Sequence, residues 1–162
     1  MLSAPNAAST HMQLALKAES EAVQQFVDLL ELEQSALTLG ETDALPDYAE
    51  KKITLAVHLS RLAAERNDVL TKQGFGTDKS GIEDWLAKHP IENNSHQVWL
   101  NILASASKAR DLNRLNGELI ALRMQYNEKA LEALRGGNRC LDLYGPDGQS
   151  TSAGSRRIID SV

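Results

Sequence analysis

The stretch from Asn94 to Arg135 constrains this chain more than any other, because it contains no proline and a single glycine, Gly117. One glycine costs a helix about 1 kcal/mol relative to alanine, which a long rod absorbs. Roughly 42 residues at about 1.5 Å each predict a rod of about 60 Å. Apolar residues recur along it through Val98, Ile102, Ala109, Leu112, Leu115, Leu119, Leu122, Tyr126 and Ala133. Steps of three, four and seven lay these on one side of a helix, and such a stripe requires other helices to cover it.

Two covering helices are predicted upstream. Leu16, Val23, Leu30 and Leu37 stand seven apart between His11 and Leu39, with Phe26 and Val27 between them, and Gly40 follows as a stop. The opposite face carries Glu19, Glu21, Asp28, Glu31 and Glu33. It reads as a solvated acidic face, with an acidic recognition surface as the alternative. A second helix runs from the turn at Pro46 to about Gln73, with Tyr48, Leu55, Leu62 and Val69 at the same spacing and Gly74 as its stop. The short turn makes the two an antiparallel hairpin with arms of about 40 Å. A 60 Å rod on 40 Å arms leaves about 20 Å to be covered by the connector and tail or by a partner chain.

The connector from Gly74 to Asn93 holds a short helix. Ser80 and Glu83 have capping-box spacing, Ile82, Trp85 and Leu86 face one way, and His89 and Pro90 end it. It reads as a plug for one end of the bundle. Asn94 and Gln97 give a second capping signal for the long helix. The expected fold class is therefore all-α: an antiparallel hairpin and one longer C-terminal helix in a three-helix coiled-coil bundle. One domain is expected over 1–135, with 1–10 frayed, followed by a flexible C-terminal docking tail over 136–162.

Composition narrows the chemistry. At 162 residues and only 4% aromatic, the chain suits slender helix seams in one domain. A net charge of -5 argues against nucleic-acid binding, which needs a concentrated basic surface. The single cysteine, Cys140, permits no internal disulfide. No run of eighteen apolar residues predicts membrane insertion, and the N-terminus lacks a signal-peptide pattern, so a cytoplasmic location is expected. His11, His58, His89 and His96 fall in different segments without metal-site spacing. The run GFGTDKS at 74–80 departs from a phosphate loop at Asp78. Neither an enzyme nor a metal or cofactor site is expected.

The tail from Gly136 onward is rich in glycine and serine but holds two apolar clusters, Leu141, Leu143 and Tyr144, then Ile158 and Ile159. Such clusters suit a docking peptide, or a segment folded back on its own bundle. On the long helix, Asn116 falls on the 109, 112, 116, 119 stripe and reads as a register-setting seam residue, while Asn113 suits either seam or solvent.

At these positions the chain resembles a known family. Asp111, Leu112, Asn113, Asn116, Gly117 and Leu119, then Leu143 to Gln149 (LYGPDGQ) and Arg156 to Ile159 (RRII), are similar to the FlgN family of flagella synthesis proteins. Glu50, Lys51 and Lys52 at the entry to the second helix, with Leu55 and Leu62 beyond, also match it. The resemblance covers about residues 14–162 and is most specific in the last third. It implies a cytoplasmic type III export chaperone that binds the C-terminal helical segments of the hook-filament junction proteins FlgK and FlgL. Such a chaperone keeps its clients unassembled and delivers them to the flagellar export gate.

The family's client-binding region maps to the late long helix and tail. With the apolar stripe it nominates Asn116, Leu119, Leu122, Tyr126, Ala130 and Leu134 for the client. The tail residues Leu141, Leu143, Tyr144, Ile158 and Ile159 are nominated for client or export machinery, Tyr144 matching the family's tail tyrosine. The longer N-terminus and the connector depart from the pattern. The competing reading is a self-associating coiled coil, a homo-oligomer whose stripe pairs with its own copy.

Overall fold

The computed structural model describes the backbone of residues 7–89 and 93–141 and the side chains of residues 9–89 and 94–136. Helix α1 runs Ala7–Leu39, α2 Leu45–Lys72, α3 Lys79–Lys88 and α4 Asn93–Leu141, with a 3-10 turn at Thr42–Ala44. No strand occurs among the described residues. The chain divides into two units, Met1–Ile120 and Ala121–Val162, the division falling within α4.

Both predicted stops act as expected. Gly40 and Gly74 take positive φ, 86° and 77°. Their turns return backbone N–H groups to the preceding helices, Glu41 to Ala36 O and Phe75 to Leu70 O. A left-handed residue after a helix satisfies its last carbonyls in this way, and glycine adopts it without a Cβ clash. Gly136 and Gly137, where the long helix was expected to end, do not stop it. Gly40 and Gly74 are the positive-φ glycines among the described residues, and a glycine that keeps helical dihedrals only weakens a helix.

In the first unit α1 and α2 pair antiparallel, Glu19 meeting Arg66 and Glu33 meeting Lys52. Helix α4 runs parallel to α1: Trp99 and Ile102 join Met12 and Leu16 in one core cluster, and Ala109 joins Val27 and Leu30 in a second. The four heptad positions of α1 are all buried. Those of α2 divide, with Leu62 and Val69 buried but Tyr48 and Leu55 only half-buried. The thick end of the core is closed by α3, whose Ile82, Trp85 and Leu86 are buried among Met12, Leu70 and Trp99. This is the expected plug. It also explains why residues 7–10, expected to fray, form the first turn of α1, with Ser9 buried.

Three local expectations are corrected. The cap of α3 is Asp78, whose carboxylate accepts from Gly81 N at 2.9 Å, and not Ser80, which lies inside the helix. Gln97 does not reach back to cap α4; its amide donates to Asn101 Oδ1 at 3.1 Å. The acidic face of α1 is not wholly solvated, since Glu19 and Glu33 are 6% and 2% exposed. Glu19 takes both its bonds from the Arg66 guanidinium, which also lies 5.5 Å from the centroid of the Trp99 ring. Glu33 accepts from Lys52 Nζ and from Asn116 Nδ2. Two polar layers thus each join α1, α2 and α4.

Candidate apolar docking surface on the long helix

Asn116 is fully buried, and its Nδ2 donates to Leu30 O and to Glu33 Oε2, both at 2.9 Å. It is a seam residue of the bundle itself, engaged with α1, and presents no atom to a separate chain. Leu119 is half-buried, in a shallow groove with Gln34, Ser35, Thr38 and Leu39 of α1. Leu122, Tyr126, Ala130 and Leu134 are exposed, Tyr126 by 65% and Leu134 by 71%. From Ala121 to Gly136 every side chain except that of Arg123 is exposed. Leu141 ends α4, but its side chain is outside the described residues, as are Leu143, Tyr144, Ile158 and Ile159.

The exposed apolar residues fall on two lines. One is Leu115, Leu122 and Tyr126, in register with the half-buried Leu119. The other, of which the sequence pattern singled out Leu134 alone, is Ile120, Met124, Leu131 and Leu134, in register with Asn127. Its steps of four, three, four and three extend the spacing of the buried Ile102, Ala109 and Asn116. The sequence stripe left that line because two successive steps of three, 109 to 112 to 115, each rotate it by about 60° on a 3.6-residue helix. Steps of four and three through Ile120 and Met124 were the signal that could have found it.

Charged residues of both signs, Glu128, Lys129, Glu132 and Arg135, alternate along the same stretch, all exposed. An exposed apolar line on a helix, flanked by mixed charge, is suited to burying the apolar face of another helix. Among the described residues no three His, Cys, Asp or Glu side chains converge as metal ligands. No helix among them is long and apolar enough to cross a membrane.

The sequence model of the FlgN protein family matches residues 8–152. The chain belongs to the FlgN family. Two curated relatives, each called flagella synthesis protein FlgN, come from Salmonella typhimurium (strain LT2) and Salmonella typhi. Each is 24% identical over 124 residues, covering 74% of this chain and 87% of the relative. No solved structure matches the chain. The family match takes in all four helices, so the bundle and the exposed part of α4 both lie within what FlgN proteins share with this chain.

Proposed function

We propose that this protein is a flagellar export chaperone that acts in the cytoplasm. It holds the C-terminal helical segments of the hook-filament junction proteins FlgK and FlgL, prevents their premature assembly and delivers them to the flagellar export gate. The observation that carries this reading is the exposed run from Leu122 to Leu134 in a member of the FlgN family. Amphipathic terminal helices prone to assembly have an apolar face to hide, and this run offers a matching one. Full burial of a leucine or methionine side chain is worth about 1.5–3 kcal/mol. A few such side chains yield a complex tight enough to suppress assembly and loose enough to release at the gate. The tail around Leu143 and Tyr144 serves contact with the export machinery.

The test is calorimetric titration of the full chain with C-terminal segments of FlgK and FlgL. Saturable binding with a negative heat-capacity change is expected, because apolar surface is buried. Replacing Leu131 and Leu134 together with alanine should weaken binding at least tenfold while circular dichroism stays unchanged. Undiminished affinity in that variant would remove this surface. Replacing Tyr144 should reduce export while client binding persists. A mass that rises with concentration in the absence of client would favour the self-associating coiled coil.

A further inference from the structure

We infer a second docking site on the first unit: the open groove between α1 and the first half of α2 binds an amphipathic helix of another protein, with an apolar face and basic flanks. The groove measures about 630 Å³. Leu29 and Leu32 of α1 form one wall, and Tyr48, Thr54 and Leu55 of α2 the other. Tyr48 and Leu55 are the two heptad positions that the chain leaves half-buried, and Leu32 is 55% exposed. The seam of α2 is therefore completed by α1 and α3 at one end and left open at the other. Helix α4 does not cover it: that helix meets α1 through Val27, Leu30, Glu31 and Glu33, on the opposite side from Asp28 and Leu32.

The rim identifies the occupant. Asp28, Asp47 and Glu50 border the groove against a single cation, Lys51, whose Nζ lies 6.0 Å from the Tyr48 ring centroid. Gln24 donates to Asp28 Oδ1 at 2.8 Å. Among the described residues the carboxylates of Asp47 and Glu50 have no cationic partner, so the rim carries uncompensated negative charge over an apolar floor. Lysine or arginine flanking an apolar stripe complements both features. The walls span Gln25–Leu32 and Asp47–Leu55, or about 12 Å of helix each, which accommodates two to three turns. Two antiparallel helices present ridges and a groove that a third helix fills with its own backbone already hydrogen-bonded. The small floor and exposed rim give a weak, salt-sensitive, rapidly exchanging contact.

The test uses two 14-residue helical peptides, one of leucine and lysine and one of leucine and glutamate in the same pattern, titrated into the isotope-labelled full chain. Saturable binding of the lysine peptide is expected, with amide shifts confined to residues 25–32 and 47–55 and affinity falling as salt rises. Asp47→Lys with Glu50→Lys should weaken it at least tenfold, and Leu32→Asp should do so independently. These side chains are exposed, and an unchanged melting midpoint verifies the fold of each variant. Equal binding of both peptides, shifts centred on residues 121–136, or indifference to both variants would overturn the inference. Leu131→Ala with Leu134→Ala leaves this groove intact, so the client reading and this one fail separately.

Discussion

Glu19 and Glu33 stand two heptads apart on α1, and Arg66 and Lys52 stand two heptads apart on α2, so both pairs close only in one antiparallel register. Sliding α2 by one heptad would leave two buried carboxylates without cations, a penalty of several kcal/mol per ion. Leucine seams alone would tolerate that slip; the polar layers do not. The Glu19–Arg66 side chains are 9% and 10% exposed. Arg66→Met is therefore expected to lower stability by about 3–5 kcal/mol, since it strands the Glu19 carboxylate. Adding Glu19→Leu should restore most of that loss, because a matched apolar pair needs no desolvated charge. Denaturant unfolding of the two single variants and the double variant measures the coupling; additive losses would mean that the pair does not act as a unit. Lys52, 22% exposed, retains contact with water, so its removal should cost less than that of Arg66.

At the scale of elements, α3 depends on a close approach that only glycine allows. A Cβ on Gly81 would lie 1.9 Å from Gly76 O, a backbone atom with no rotamer to escape through. Gly81→Ala must displace the 74–78 loop or the helix, at about 1–3 kcal/mol. Trp85 should loosen with it, losing its bond to Gln73 Oε1 at 2.7 Å and its stacked contact with His89. In a Trp99→Phe background the remaining tryptophan emission should shift to the red, and an unshifted spectrum would show that the loop adapts without cost. The helices and the stops at Gly40 and Gly74 were legible from heptads and punctuation, and so was the plug, because these depend on residues near in sequence; the end of α4 was not, since Gly136 and Gly137 stay within the helix. The cap at Asp78 was not, since Ser80 and Glu83 imitate a capping box two residues on. Glu19 and Glu33 looked like solvated charge because their partners lie on another helix, although both stand at seam spacing, three residues after Leu16 and Leu30. On the candidate surface, the exposure of Leu122, Tyr126 and Leu134 was legible from the stripe, whereas that of Met124 and Leu131 was not, because the stripe drifted off their line.

For the whole molecule, the two units should differ in how their helical hydrogen bonds are protected. In Met1–Ile120, α1 buries its heptad positions against α2 and α4, so amides along those seams open only by undocking helices. From Ala121 to Gly136 side chains are exposed almost without exception, and helical amides there open by local fraying, at little free-energy cost. Hydrogen exchange of the dilute full chain should therefore give strong protection through α1 and the seam residues of α2, and weak protection over residues 121–136, although both are helix. Adding the C-terminal segment of FlgK should slow exchange over 121–136 by the factor set by its occupancy and affinity. Protection there that is already strong without client, and grows with the protein's own concentration, would mean that a second copy covers the line through Met124, Leu131 and Leu134. Strong protection independent of both client and concentration would mean that α4 is stabilised by the chain itself, and the exposed run would then not be a vacant client site. Weak protection that rises only with client is the outcome that a chaperone requires, because a surface awaiting an assembly-prone helix must remain uncovered until that helix arrives.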